Sequence, residues 1–198
     1  MPRESTTNKR QRAQAIADRM DERYPHAVTL LQHHDPFTLT IAVLLSAQTT
    51  DAAVNKVTPQ LFKRWPTAQS LAEADPSDVE EVIRNIGLHR VKAKNCVRLA
   101  QMLLECYDGE VPSTMEELQR LPGVGRKTAN IILNQGFGIV EGIAVDTHVF
   151  RIAHKLRLSV ASSPDRVEAD LLRILPKERW QPINHQWVLF GREICIAR

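Results

Sequence analysis

The chain has 198 residues, of which 43% are hydrophobic and 25% charged; at roughly 100–200 residues per domain that is one domain or one core with an inserted lobe, and it excludes both disorder and fibrous repeats. Lys and Arg number 26 against 23 Asp and Glu, a formal charge of +3, which permits nucleic acid as a partner without demanding it. No apolar stretch approaches the ~18 residues of a membrane span, MPRESTTNKRQR lacks the apolar core of a signal peptide, and Cys96, Cys106 and Cys195 have no paired spacing, so a soluble cytoplasmic protein, not a disulfide scaffold, is expected.

The elements read as one helix after another. Ala13, Ile16, Met20 and Tyr24 recur at helical steps until Pro25. Asp35-Pro36 is an N-cap followed by proline at the first helical position, opening a helix with the apolar run Ile41–Leu45. A third segment, Asp51 to Trp65, carries Val54, Val57, Leu61 and Trp65 on one face, and Pro59 is expected to kink or divide it. Asp75-Pro76 caps a helix stopped by Gly87, and Val91 to Tyr107 forms the next. Short helices follow over Ser113–Leu121 and Lys127–Gln135, then Thr147–Leu158, Pro164–Leu175 and Trp187 to about Ile194. The best strand candidate, Gly142 to Val145, is too short to anchor a sheet, so the expected class is all-α.

Chemistry begins at Leu121. LPGVGRKTAN is a helix end, a Pro-Gly-Val-Gly turn and a helix start. Gly123 and Gly125 can take positive φ and let backbone approach a ligand, and the helix N-terminus behind them suits a phosphate. A plain helix–helix turn has the same appearance. Lys127 is a cation in the first turn of a helix, where the macrodipole disfavours it, and Arg126 adds a like charge. Both effects favour a neutral amine, the form that attacks a carbonyl-like carbon; a solvated lysine on backbone phosphate is the bland alternative. Asp146 precedes a strong helix, so it reads as an N-cap and equally as a carboxylate beside a lysine nucleophile. Two consecutive helices can bring both N-termini to one cleft. His148 reads as structural.

LPGVGRKTAN followed by IAVDTHVFRIAHKL resembles the endonuclease III branch of the helix-hairpin-helix DNA glycosylases. LLSAQTTDAAVNKV (44–57), IGLHRVKAKN (86–95), GEVPSTMEELQRLPG (109–123) and HQWVLFGREICIAR (185–198) carry the likeness further, from about residue 12 onward. The resemblance implies a two-lobed helical fold with a central cleft. Its central lobe would be 36–145, with the hairpin at about 114–136; 1–35 and 146–198 would make the other, truncated before the family's iron-sulfur loop. It implies a monomeric bifunctional glycosylase and abasic-site lyase acting on oxidised pyrimidines in double-stranded DNA during base excision repair. Lys127 would attack C1′ of a flipped nucleotide, and Asp146 would stabilise the cationic sugar. Gln48 would fill the vacated gap, Leu88 would wedge into the opposite strand, and Asp51 would lie near the lesion pocket. Gly123, Val124, Gly125, Arg126 and Thr128 would bind DNA, and Arg90, Lys92 and Lys94 could face phosphates or merely solvent.

The sequence departs from the family pattern in three places. Four cysteines spaced C-x6-C-x2-C-x5-C hold a [4Fe-4S] cluster in the family; Cys195 matches the first and the others would fall beyond Arg198. One thiolate cannot hold a cluster, so no cofactor is expected unless the native chain continues. Cys96 and Cys106 read as buried small apolar groups. Pro59 and a longer loop before Asp146 are the other departures. Two alternatives stand beside the lyase: a mismatch-specific thymine glycosylase, and a non-catalytic DNA-binding module that would need Gly123 and Gly125 but neither Lys127 nor Asp146.

Overall fold

The computed structural model describes residues 4–197. Among them it is helical throughout: α1 (Thr6–Arg23), α2 (Pro36–Leu45), α3 (Asp51–Arg64), α4 (Ala68–Ala72), α5 (Pro76–Ile83), α6 (His89–Tyr107), α7 (Met115–Leu118), α8 (Arg126–Phe137), α9 (Thr147–Lys155), α10 (Pro164–Ile174), and, after a 3-10 turn at Lys177–Arg179, α11 (Trp180–Glu193). No helix among the described residues is long and apolar enough to cross a membrane. The chain forms two compact units. One is Leu30–Ile139; the other joins the residues up to Thr29 with those from Val140 onward.

The Leu30–Ile139 unit is built around α2. Every residue from Thr38 to Leu45 is buried. The two threonines tolerate this because their hydroxyls donate within the helix start, Thr38 Oγ1 to Asp35 Oδ1 at 2.8 Å and Thr40 Oγ1 to the Pro36 carbonyl at 2.8 Å. Asp35 also accepts from the Thr38 amide at 2.7 Å, closing a capping box. α3, α6 and α8 pack on this rod. Gly136 of α8 makes a tight contact with it, since an added Cβ would lie 3.2 Å from Leu39 Cδ2.

Pro59 does not divide its helix: α3 runs unbroken from Asp51 to Arg64. The lost hydrogen bond and ring clash cost about 3 kcal/mol. Val54, Val57 and Leu61 are buried on both sides of the proline, and each such side chain contributes about 1.5–3 kcal/mol. Tertiary burial therefore outweighs the local penalty. The five-residue α4 is absent from the sequence reading because it is too short to show a period; a Thr67–Ser70 capping box starts it, and Ala68 and Leu71 seat it.

Cys96 is fully buried on α6, whereas Cys106, expected inside, is exposed at the helix end. Burial pushes the Cys96 thiol up to about 12. The folded state therefore holds a proton that the unfolded chain releases near the ordinary thiol value, so this contribution is complete below about pH 9 and is lost on rising toward about 12. Denaturant titrations are expected to show the stability gap between wild type and Cys96→Ala closing steadily as pH rises through that window; a gap independent of pH would contradict it.

In the other unit, α1 packs on α10 and α11, and α9 packs on α10 and α11. Its core contains Ala13, Ala17, Met20, Ile152, Leu171 and Trp187, all at most 6% exposed. α11 begins at Trp180 rather than at Trp187. Pro182 lies in its first turn, where a missing N–H costs nothing.

Candidate active site

Thr114 caps α7, accepting from the Glu117 amide at 3.3 Å, and the chain then turns through Pro122-Gly123-Val124-Gly125 into α8. Leu121 and Val124 are buried and anchor the turn. Gly123 has φ +78°, and a Cβ there would lie 3.0 Å from Asn95 Nδ2 and 3.2 Å from Leu44 Cδ1. Conformation and space both require glycine. Gly125 does not use the positive φ open to it. It is the N-cap of α8 at φ −89°, extended, with open space where a side chain would project.

No side chain caps α8, and its first turn holds no acid. Arg126 and Lys127 occupy that turn, both exposed, with Thr128 half-buried behind them. Two cations at the positive pole of a helix oppose the macrodipole. A polyanion laid across the turn reverses the sign of that interaction.

Three described non-glycine residues of the same unit take a left-handed backbone: Asp108, which ends α6 at φ +52°, and two that lie close together. Gln48 has φ +53° and Leu88 φ +58°, ψ 27°. A left-handed conformation costs a non-glycine residue about 1–2 kcal/mol. Leu88 stands at the N-cap of α6 with 54% of its surface exposed, and Gln48 is exposed as well. The two turns adjoin, since a Cβ at Gly87 would lie 3.6 Å from the Gln48 carbonyl oxygen. Strain and an exposed leucine coincide here, and neither property is visible in residue patterns. Asp51 follows as the first residue of α3, half-buried, after the Thr50 cap.

Lys92 does not face solvent. It is 3% exposed and donates from Nζ to Thr49 Oγ1 at 2.7 Å. Burial pushes its ammonium below the ordinary lysine value. Arg90 and Lys94 are exposed, with Arg90 Nε 3.3 Å from Glu80.

In the other unit Asp146 is the N-cap of α9. Its Oδ1 accepts from the His148 amide at 2.8 Å and the Val149 amide at 2.9 Å. The cap reading is correct, and it fixes the carboxylate against a helix N-terminus. The approach to it, the weak strand candidate Gly142–Val145, pairs with side chains instead of a sheet: Glu168 Oε1 accepts from the Ile143 amide at 3.2 Å, and Asn184 Nδ2 donates to the Ala144 carbonyl at 2.7 Å. Both partners are buried. Nothing in the local sequence connects them to Asp146. Where His148 faces α11 the neighbour is Gly191, at which a Cβ would stand 2.5 Å from His148 Nδ1.

Cys195 is half-buried after α11, and its carbonyl accepts from Arg151 Nε at 3.1 Å and Nη2 at 2.6 Å. Among the described residues no three His, Cys, Asp or Glu side chains gather as a metal would need. Cys96 and Cys106 belong to the unit that does not contain Cys195. The residues present do not fit a four-thiolate cluster.

A family model described as the HhH-GPD superfamily base excision DNA repair protein matches residues 41–177. Endonuclease III of Synechocystis sp. is 45% identical over 191 residues, covering 96% of this chain and 87% of its own. Endonuclease III of Escherichia coli K12 is 43% identical, covering 92% of this chain and 86% of its own. A trapped covalent endonuclease III–DNA intermediate matches with a TM-score of 0.91 and 45% identity, covering 96% of this chain and 89% of that one. A thermostable thymine-DNA glycosylase, 20% identical, shares the fold with a TM-score of 0.83, covering 98% of this chain and 91% of that one. The chain is therefore a member of the HhH-GPD superfamily of base excision DNA repair proteins.

Proposed function

We propose that this chain excises oxidised pyrimidines from duplex DNA and then cleaves the abasic strand, with Lys127 as nucleophile and Asp146 as the carboxylate that stabilises the cationic sugar. The reaction class, DNA glycosylase and abasic-site lyase, follows from the family and from endonuclease III relatives at 43–45% identity over most of the chain. The observation that carries the residue reading is the exposed Lys127 in the first turn of a helix that no side chain caps, directly after a glycine turn. That turn can hold a phosphate while the amine reaches the adjoining sugar.

In this reading a neutral Lys127 Nζ bonds to C1′ as the glycosidic C–N bond breaks, and the base leaves with the electron pair and a proton. The sugar ring opens to an imine. Loss of a C2′ proton then expels the 3′ phosphate by β-elimination. A stacked base is out of reach, so it must first be extruded at a cost of a few kcal/mol. Gln48 fills the gap and Leu88 wedges the opposite strand, offsetting that cost. Asp51 borders the lesion, and Gly123, Val124, Gly125, Arg126 and Thr128 hold the DNA backbone. The enzyme acts as a cytoplasmic monomer. A [4Fe-4S] cluster has one candidate ligand here, Cys195, and no step depends on it.

Borohydride reduction in the presence of abasic duplex is expected to link protein to DNA through the imine. In a panel of duplexes with one lesion each, thymine glycol is expected to be cut in preference to a G:T mismatch. Absence of a covalent adduct from DNA-binding protein would end the lyase reading; preference for G:T would overturn the substrate class.

A further inference from the structure

Lys92 is a lysine buried inside the Leu30–Ile139 unit. Taking an ammonium out of water is costly unless it is hydrogen-bonded, and a methionine would fill the same space. What Lys92 does is connect. Its backbone N–H donates to the Leu88 carbonyl at 3.0 Å, and its Nζ donates to Thr49 Oγ1 at 2.7 Å. Leu88 and Gln48, the residue before Thr49, are two of the described non-glycine residues with positive φ. Thr49 Oγ1 also lies 3.8 Å from where a Cβ on Gly87 would stand, so the two turns meet at this bond. A strained conformation persists only where its surroundings over-determine it. Around Gln48 the support is otherwise local: the Thr49 amide donates to the Ser46 carbonyl at 3.0 Å, the Ala47 amide to the Leu44 carbonyl at 3.4 Å, and Thr49 Oγ1 to the Ala47 carbonyl at 3.4 Å. The Lys92 ammonium adds a tie from a different helix.

We propose that Lys92 is a positioning residue that locks the Gln48 turn to the Leu88 turn, so that gap filling and strand wedging occur as one motion during base extrusion. This rests on the extrusion roles given above to Gln48 and Leu88. Lys92 itself touches no DNA. Removing the tie leaves both side chains present but lets the Gln48 turn relax, which affects the step that needs extrusion. An abasic nucleotide has no base to unstack, so its cleavage is spared.

Single-turnover rates on two substrates test this: a duplex with a paired thymine glycol, and the same duplex with an abasic site. Lys92→Met removes the ammonium and keeps the volume; Thr49→Val removes the acceptor near the surface; Thr49→Ser keeps it. Lys92→Met and Thr49→Val are each expected to slow base excision about tenfold, the scale of one charge-assisted hydrogen bond, with abasic cleavage within about twofold of wild type. Thr49→Ser should restore excision, and the double variant Lys92→Met/Thr49→Val should be no slower than either single one. An equal fall on both substrates, or additive losses in the double variant, would overturn the proposal, as would excision unchanged in both single variants. Gln48→Ala and Leu88→Ala are measured alongside. If they leave excision intact, the extrusion reading itself fails; if they slow it while Lys92→Met and Thr49→Val do not, only the role of Lys92 fails.

Discussion

Lys127→Ala is expected to abolish both the borohydride-trapped adduct and strand cleavage, a loss of at least about a thousandfold in single-turnover rate, because no other group supplies the attacking electron pair. The fold should not suffer. Lys127 is exposed, and exposed substitutions of this kind change stability by no more than about 0.5 kcal/mol. Removing a cation from the first turn of α8 even relieves an interaction worth about 0.3–1 kcal/mol, so the melting temperature should be equal or higher. Lys127→Arg separates charge from nucleophilicity. It should retain DNA affinity and the steep salt dependence of phosphate binding, yet form no imine. An adduct that persists in Lys127→Ala would assign the nucleophile elsewhere.

Asp146 is expected to divide by substitution. Its Oδ1 accepts two amides at the start of α9, and an asparagine oxygen accepts them equally. Asp146→Asn should therefore unfold like wild type while losing about 10²–10⁴ in rate, the range for a positioned carboxylate in proton transfer and charge stabilisation. Asp146→Ala should show the same rate loss plus about 0.5–2 kcal/mol of destabilisation from the missing cap. Wild-type activity in Asp146→Asn would reduce this residue to a cap.

Which features were legible follows from how far each physical signal reaches. Asp35-Pro36, Asp75-Pro76 and the 3.6-residue periods placed most helices, since capping and amphipathicity act within a turn or two. The LPGVGRKTAN hairpin was legible for the same reason. The sequence does not tell Gly123 from Gly125 because a glycine is permitted positive φ without being forced into it; only Gly123, crowded by Asn95 and Leu44, takes it. Pro59 does not divide α3 because its penalty is local and its compensation is not. Lys92 reads as one more cation on a basic stretch, and the partner of its buried ammonium, Thr49, is distant along the chain.

By itself the sequence determined the all-helical class, the glycine turn with its two cations, and an aspartate at a helix start, since each depends on neighbours within about four residues. Only the tertiary structure decided which backbone is strained and which polar groups are buried. The left-handed turns of Gln48 and Leu88, the Lys92–Thr49 tie, and the Glu168 and Asn184 supports before Asp146 all join residues distant along the chain. Burial and strain belong to three-dimensional neighbourhoods, and their energies are set by partners that a local pattern does not contain.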